Sequence, residues 1–405
     1  MASILFVNKA SFHYPGGAET RIREVAIRLA GAGHHVGIIC GRTQPCDPPI
    51  SIADGVTIRT VPVLPAFLLR YFPPPHYLPQ ALFYFLAWPY VLYYLRKWRV
   101  DIIRDDMSPF PGLSWLGLWL KRTRNLTVHI LFGSYREWHK FYPAPYALAG
   151  AVSEFLLLRG WLGYHCIVTD APWLASYIRQ RGASGIRVQY VPNAVDVDSF
   201  VVRLPRGIIT RLVNISRYTQ HKQQRDLLEA CRLLRQNGRA LTVDMYGGGP
   251  LENDLRRQAA SANITDCVHI HPALPYRQLT GQLCTFDLFV LTSRSEGFPV
   301  ILLEAMAACV PCIVARMPYL EGFLPSGIVS LYDSQDPEGL ANAIARAQDH
   351  PKEMESMAAT ARVWVTQFTW DRTAREELIL LEQAMKQSTS SGHPPLSKLL
   401  VSSAK

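Results

Sequence analysis

Cysteine is sparse and irregularly spaced in this chain, eight among 405 residues. That is far from the density of a small secreted scaffold held by disulfides, so a reducing compartment is expected. Met1 to Ala10 contain no basic region followed by an apolar run, and Ile4-Leu5-Phe6-Val7 reads instead as a buried strand, which adds to the expectation of a cytoplasmic protein. The charge-free stretch from Ala81 to Leu95 spans about 15 residues, short of the roughly 20 a bilayer-crossing helix needs, and it contains Pro89. A buried or membrane-grazing helix is expected there. No period of roughly 20 to 50 residues recurs, which excludes solenoids and propellers.

Hydrophobic residues make up 49% of the chain and charged residues 18%, enough to build sizeable cores and to exclude general disorder. At roughly 150 residues per domain the length predicts two or three domains. Lysine and arginine total 42 against 32 acidic residues, a net +10 that suits phosphorylated ligands, anionic lipid or nucleic acid without choosing among them.

Strands and helices alternate. Strands are expected at Ile4–Val7, Val36–Cys40, Val56–Val61, Val100–Arg104, Leu126–Leu131, Cys166–Thr169 and Val188–Val191. The first leads through Pro15-Gly16-Gly17 into a helix from about Ala18 to Ala30, and an aromatic helix ends near Trp98. Near Leu204-Pro205-Arg206-Gly207 the pattern restarts with strand Ile208–Ile215, helix Gln223–Asn237, strand Leu241–Tyr246 and the turn Gly247-Gly248-Gly249-Pro250. Strands Val268–Ile270, Leu288–Leu291 and Cys312–Val314 follow, interleaved with helices. The expected fold class is therefore α/β, two doubly wound Rossmann-like domains facing across a cleft at their strand ends. The expected divisions are 1–203, 204–370, a C-terminal helix 371–386 returning to the N-terminal domain, and a disordered Ser-rich tail 387–405.

The segment Ser295-Glu296-Gly297-Phe298-Pro299-Val300 leads into Ile301-Leu302-Leu303-Glu304-Ala305. Glu296 lies in the loop after a strand, and Pro299 suits the first turn of the next helix. The amides around Gly297, Phe298, Pro299 and Val300, with the helix dipole, form a natural phosphate seat. Glu304 is polar among residues expected to be buried, where an unpaired carboxylate is costly, and can accept hydrogen bonds from a pair of sugar hydroxyls.

Two carboxylates at this spacing resemble the hallmark of the retaining glycosyltransferases of the GT-B fold, glycosyltransferase family 4 (group 1). Pro15-Gly16-Gly17-Ala18-Glu19, Pro192-Asn193-Ala194-Val195-Asp196, Arg217 with Lys222, and Gly247-Gly248-Gly249-Pro250-Leu251 fall in the family's order, and the resemblance spans roughly residues 3 to 385. It implies transfer of a sugar from a nucleotide diphosphate donor, UDP-sugars first and GDP-sugars next, to a saccharide or lipid-linked acceptor. It assigns Arg217 and Lys222 to the donor diphosphate, where fixed cations stabilise the charge of the departing group, and Glu296 to the sugar. It puts Glu304 at the ribose, Gly247, Gly249 and Pro250 in the donor pocket, and His129 near the transferred sugar, with Arg136, Glu137 and His139 competing for that task. Gly16 and Gly17 serve either a ligand or a tight turn, and Glu19 either a ligand or the helix dipole. No metal or other cofactor is expected, since Asp196-Val197-Asp198 reads as a turn and helix entry.

Several positions depart from the family pattern. Gln223, Ser216, Ala194 and Cys309 stand where glycine is usual, and Arg316-Met317-Pro318 replaces a glycine pair ahead of Glu321. Cys309-Val310-Pro311-Cys312 lies outside a redox context. The aromatic and basic stretch from Pro62 to Trp98, continued by Trp115, Trp119, Lys121, Arg122 and Arg124, makes an anionic membrane surface a candidate partner. Competing readings are a GT-B epimerase or phosphorylase and, from charge alone, a nucleic-acid-binding protein; nucleic acid is not expected as a partner.

Overall fold

The computed structural model describes residues 1–8, 16–42, 48–63, 77–106, 126–131, 144–158, 164–181, 186–204, 206–317, 320 and 322–390. Pro15, Arg136, Glu137, His139, Glu321 and the aromatic–basic positions between 64 and 76 and between 107 and 125 lie outside the described residues. So do tail residues 391–405. The chain forms two compact units, residues 1–193 with 370–405, and residues 194–369.

The first unit holds strands β1 (Ser3–Asn8), β2 (His35–Arg42), β3 (Ile50–Ala53), β4 (Val56–Pro62), β5 (Ile102–Asp106), β6 (Leu126–Leu131), β7 (Cys166–Thr169) and β8 (Arg187–Tyr190). They form one sheet in the order β3-β4-β2-β1-β5-β6-β7-β8, parallel except for β3. Strand β3, which the sequence reading did not anticipate, pairs with β4 through a two-residue turn. Asp54 and Gly55 both take positive φ there, 48° and 77°, the backbone a tight hairpin requires. Helices α1 (Gly17–Gly31), α2 (Tyr77–Trp98), α3 (Ala144–Leu158) and α4 (Pro172–Gln180) complete the alternation. Helix α2 buries Phe83, Tyr84, Ala87, Val91 and Tyr94 against the sheet, at helical spacing, and exposes Phe85, Tyr93, Arg96 and Lys97 on its other side. No helix among the described residues is long and apolar enough to cross a membrane.

The second unit is a six-stranded parallel sheet of β9 (Arg211–Ile215), β10 (Thr242–Tyr246), β11 (Val268–His271), β12 (Leu288–Leu291), β13 (Cys312–Arg316) and β14 (Ser330–Asp333). Their order is β11-β10-β9-β12-β13-β14. Successive strand residues feed two cores, one on each face. Val213, Phe289, Leu291 and Val314 enter one, while Leu212, Leu288, Val290 and Ile313 enter the other. Helices α5 (Gln224–Gln236), α6 (Glu252–Ser261), α7 (Tyr276–Gln282), α8 (Val300–Ala307), α9 (Pro337–Asp349) and α10 (Pro351–Val365) cover them.

The division falls at Asn193/Ala194 rather than at 203/204, because residues 194–203 are hydrogen-bonded into the second unit. The amides of Val195, Val201 and Arg203 donate to the carbonyls of Phe368, Thr280 and Ala308. The Arg203 side chain donates to the Phe286 carbonyl at 2.9 Å. Helix α11 (Trp370–Ser390) belongs to the first unit, packs against α1, and runs past the expected end at Lys386.

Candidate active site

Strands β9 and β12 lie side by side at the centre of the second sheet, and the strand order reverses between them. Such a switch point opens a crevice beyond the carboxyl ends of the two strands, where open α/β sheets bind ligands. The loop after β9 carries Arg217 and the 3-10 turn Gln220–Lys222; the loop after β12 carries Thr292 to Glu296 and leads into α8.

These loops are stitched together. The Thr292 hydroxyl donates to the Lys222 carbonyl at 2.6 Å, and the Arg294 amide donates to the His221 carbonyl at 2.8 Å. Lys222 Nζ and the Ser293 hydroxyl both donate to Glu296 Oε1. Burial pushes the Glu296 carboxyl up, but Lys222, Ser293 and the nearby His221 outweigh it and hold the group below its ordinary range. His221 is pushed down to about 4 by burial and by the Lys222 charge, so it is neutral at physiological pH. Arg217 is exposed, and its guanidinium has no ion-pair partner among the described residues. Its carbonyl accepts from the Gln224 side chain at 2.8 Å, which also reaches Ser216 Oγ at 2.9 Å.

The glycine turn after β10 packs on this loop. A Cβ at Gly247 would lie 2.0 Å from the Ser216 carbonyl oxygen, and one at Gly249, where φ is +152°, 2.5 Å from that of Tyr218. Pro250 is exposed beside them. Glycine is required here for close approach of two backbones, and the effect is to hold the Arg217 loop.

Two family descriptions match the chain, "Glycosyltransferase Family 4" over residues 15–199 and "Glycosyl transferases group 1" over residues 210–364. The chain belongs to the group 1, family 4 glycosyltransferases. It is 27% identical over 403 residues to D-inositol 3-phosphate glycosyltransferase of Thermobifida fusca, covering 92% of this chain and 89% of that protein. Two other curated relatives are matched over 44% of their own length. Among solved structures, sucrose-phosphate synthase from Thermosynechococcus elongatus superposes with a TM-score of 0.80 at 18% identity, over 96% of this chain and 100% of that one. Anabaena HepE in complex with UDP-glucose gives 0.69 at 17%, over 96% and 100%. The fold is GT-B, built from two Rossmann-like units.

Within this glycosyltransferase the expected site residues fall as follows. Glu296 and Lys222 are in direct contact, and Gly297 continues their loop. Pro299 is the residue capping α8 rather than its first helical residue, so Val300 opens the helix. The Phe298 side chain is taken up by the core, 4.8 Å from Phe323 and 5.5 Å from Phe368 between ring centres. Glu304 is buried within α8, and burial pushes its carboxyl up to about 8. No hydrogen-bond or ion-pair partner for it is present among the described residues. A carboxyl in that state carries a proton at neutral pH and has hydrogen-bonding capacity to offer a ligand.

In the first unit, Gly16 caps α1 and Gly17 begins it, while Glu19 folds back over Gly16, its Oε2 within 2.1 Å of where a Cβ would stand. That position complements the helix dipole. His129 sits on β6 in register with Asp105 of β5 and Ile167 of β7; its side chain lies outside the described residues. Asp196 precedes a 3-10 turn, Val197–Ser199, whose Ser199 hydroxyl donates to the Asp196 carbonyl at 2.8 Å.

Sequence reasoning missed Thr292, Ser293 and His221. A polar run, Thr292-Ser293-Arg294-Ser295-Glu296, straight after the apolar strand β12 was the available signal.

Proposed function

We propose that the protein is a retaining hexosyltransferase that moves a sugar from a nucleotide diphosphate donor, a UDP-sugar before a GDP-sugar, to a saccharide or lipid-linked acceptor. The observation that carries this reading is the contact between Lys222 and Glu296 at the switch point of the second sheet, with Arg217 exposed on the same loop. In this reading Arg217 and Lys222 take the diphosphate and offset the charge of the leaving group without a metal. The loop and first-turn amides from Gly297 to Val300 add a second anion seat. Glu304 takes the ribose, Glu296 the transferred sugar, and His129 supports the reacting centre. The UDP-glucose complex of HepE, a structure of the same fold, is in keeping with a UDP-sugar donor.

The acceptor side of the proposal is a cytoplasmic protein lying on an anionic membrane surface. Phe85 and Tyr93 with Arg96 and Lys97, exposed on one side of α2, fit that partner. Sedimentation with anionic vesicles at low salt tests this part; no binding counts against it.

The donor is tested by a thermal-shift panel of nucleotide sugars. A true donor at 100 times its dissociation constant stabilises by ~2.7 kcal/mol, and Glu304→Ala abolishes donor-dependent turnover. Absence of any shift across UDP- and GDP-sugars would overturn the proposal.

A further inference from the structure

The transfer reading places Glu296 at the donor sugar, and the following inference rests on it. Three consecutive residues after β12 each grip a different part of the site. Thr292 holds the Lys222 carbonyl, Arg294 holds the His221 carbonyl through its amide, and Ser293 holds the Glu296 carboxylate. The Ser293 and Lys222 contacts converge on one oxygen, Oε1. Ser293 is buried at 1% exposure, three positions before Glu296 in the same loop, whereas the lysine reaches across from another loop on a long flexible stem.

A departing diphosphate competes with Glu296 for the Lys222 ammonium. The serine hydroxyl, enclosed and short, has no such competing task. We infer that Ser293 is a positioning residue for the transfer: its hydroxyl keeps the Glu296 carboxylate oriented toward the donor sugar while Lys222 turns to the diphosphate. Orientation of a reacting group within a fraction of an ångström governs rate more than affinity.

The test compares wild type, Ser293→Ala and Ser293→Cys, using the nucleotide sugar found in the thermal-shift panel and following release of its nucleoside diphosphate. Ser293→Ala is expected to keep the donor KM within about threefold while kcat falls about ten- to a hundredfold, the rate equivalent of one hydrogen bond to a charged group. The acid limb of the kcat profile moves to higher pH, because the charged form of Glu296 loses a donor. Lys222 and His221, the charged and titratable neighbours, stay in place. Ser293→Cys, nearly the same size with a weaker donor, falls between the two. Wild-type kcat and acid limb in Ser293→Ala, or a loss confined to KM, overturns the inference. Should the alanine variant not fold, the cysteine variant decides: full kcat overturns the inference, and reduced kcat at unaltered donor KM supports it. A wild-type protein that neither binds nor turns over any donor removes the transferase reading and this inference with it, whereas active wild type with an unaffected Ser293→Ala removes the inference alone.

Discussion

Arg21 of α1 and Glu377 of α11 are 356 positions apart and meet at 2.6 Å in the interior of the first unit. The second oxygen of Glu377 accepts from Arg104 of β5, while Arg21 also donates to the Val191 carbonyl at 2.9 Å and to Asn193 Oδ1 at 3.0 Å. One carboxylate thus ties the first helix, a central strand and the last helix together beside the point where the chain leaves the unit. The Thr373 hydroxyl adds a bond to the Pro192 carbonyl at 3.1 Å.

Removing that carboxylate leaves the buried Arg21 guanidinium without its charge partner and leaves Arg104 with Asp106 alone, 3.2 Å away. Glu377→Ala is expected to cost about 3–5 kcal/mol, read as a lowered midpoint of denaturant unfolding. A loss under about 1 kcal/mol would show that water and the Asp106 already beside Arg104 make up for it.

Glu304 predicts a pH dependence of stability. Its carboxyl is raised from an ordinary 4.5 to about 8 by burial. Between those values the native state keeps a proton that the unfolded chain has released, so this group's contribution to stability falls as pH rises through the window. Glu304→Gln abolishes that fall, and its stability relative to wild type grows from pH 5 to pH 8. Asp105 and Asp106, pushed by burial to about 7 and about 6, act with the same sign in both proteins and cancel in the comparison. Equal differences at the two pH values would refute the assignment.

The glycine turn after β10 tolerates no side chain. Gly247→Ala forces a methyl against the Ser216 carbonyl and is expected to cost about 1–3 kcal/mol or more, and to weaken donor binding because the Arg217 loop must move. Calorimetry with and without donor checks both effects. Unaltered stability would mean that the loop steps aside freely.

Gln223 and Cys309 sit at φ of +51° and +56°, at the start of α5 and just past the end of α8. Both stand where the family usually has glycine, the residue that adopts this backbone without strain. Gln223→Gly and Cys309→Gly are each expected to be neutral or to raise stability by up to about 1 kcal/mol, since relief of strain is partly offset by a freer unfolded chain. A loss beyond about 1 kcal/mol in thermal melts would instead assign these side chains a packing role.

Much of the architecture was legible because its signals are local. Short apolar runs such as Leu126–Leu131, Cys166–Thr169 and Leu288–Leu291 are strands at those bounds, and the glycine turns lie where a strand hands over to a helix. Strand β3 was readable too, since Asp54-Gly55 between apolar residues is a hairpin signal. Glu304 stood out by being charged within an apolar helix.

What no local pattern carries is which distant groups meet. The sequence by itself determined the strand and helix alphabet, the two-domain repetition and the candidate residues at the strand ends. Only the tertiary structure decided that β9 and β12 are neighbours, that Lys222 pairs with Glu296 across 74 positions, and that Glu377 pairs with Arg21 and shares Arg104 with Asp106. The reason is physical: propensity and periodicity act over a few residues, whereas the partner of a buried charge is set by how the crossovers stack one strand beside another.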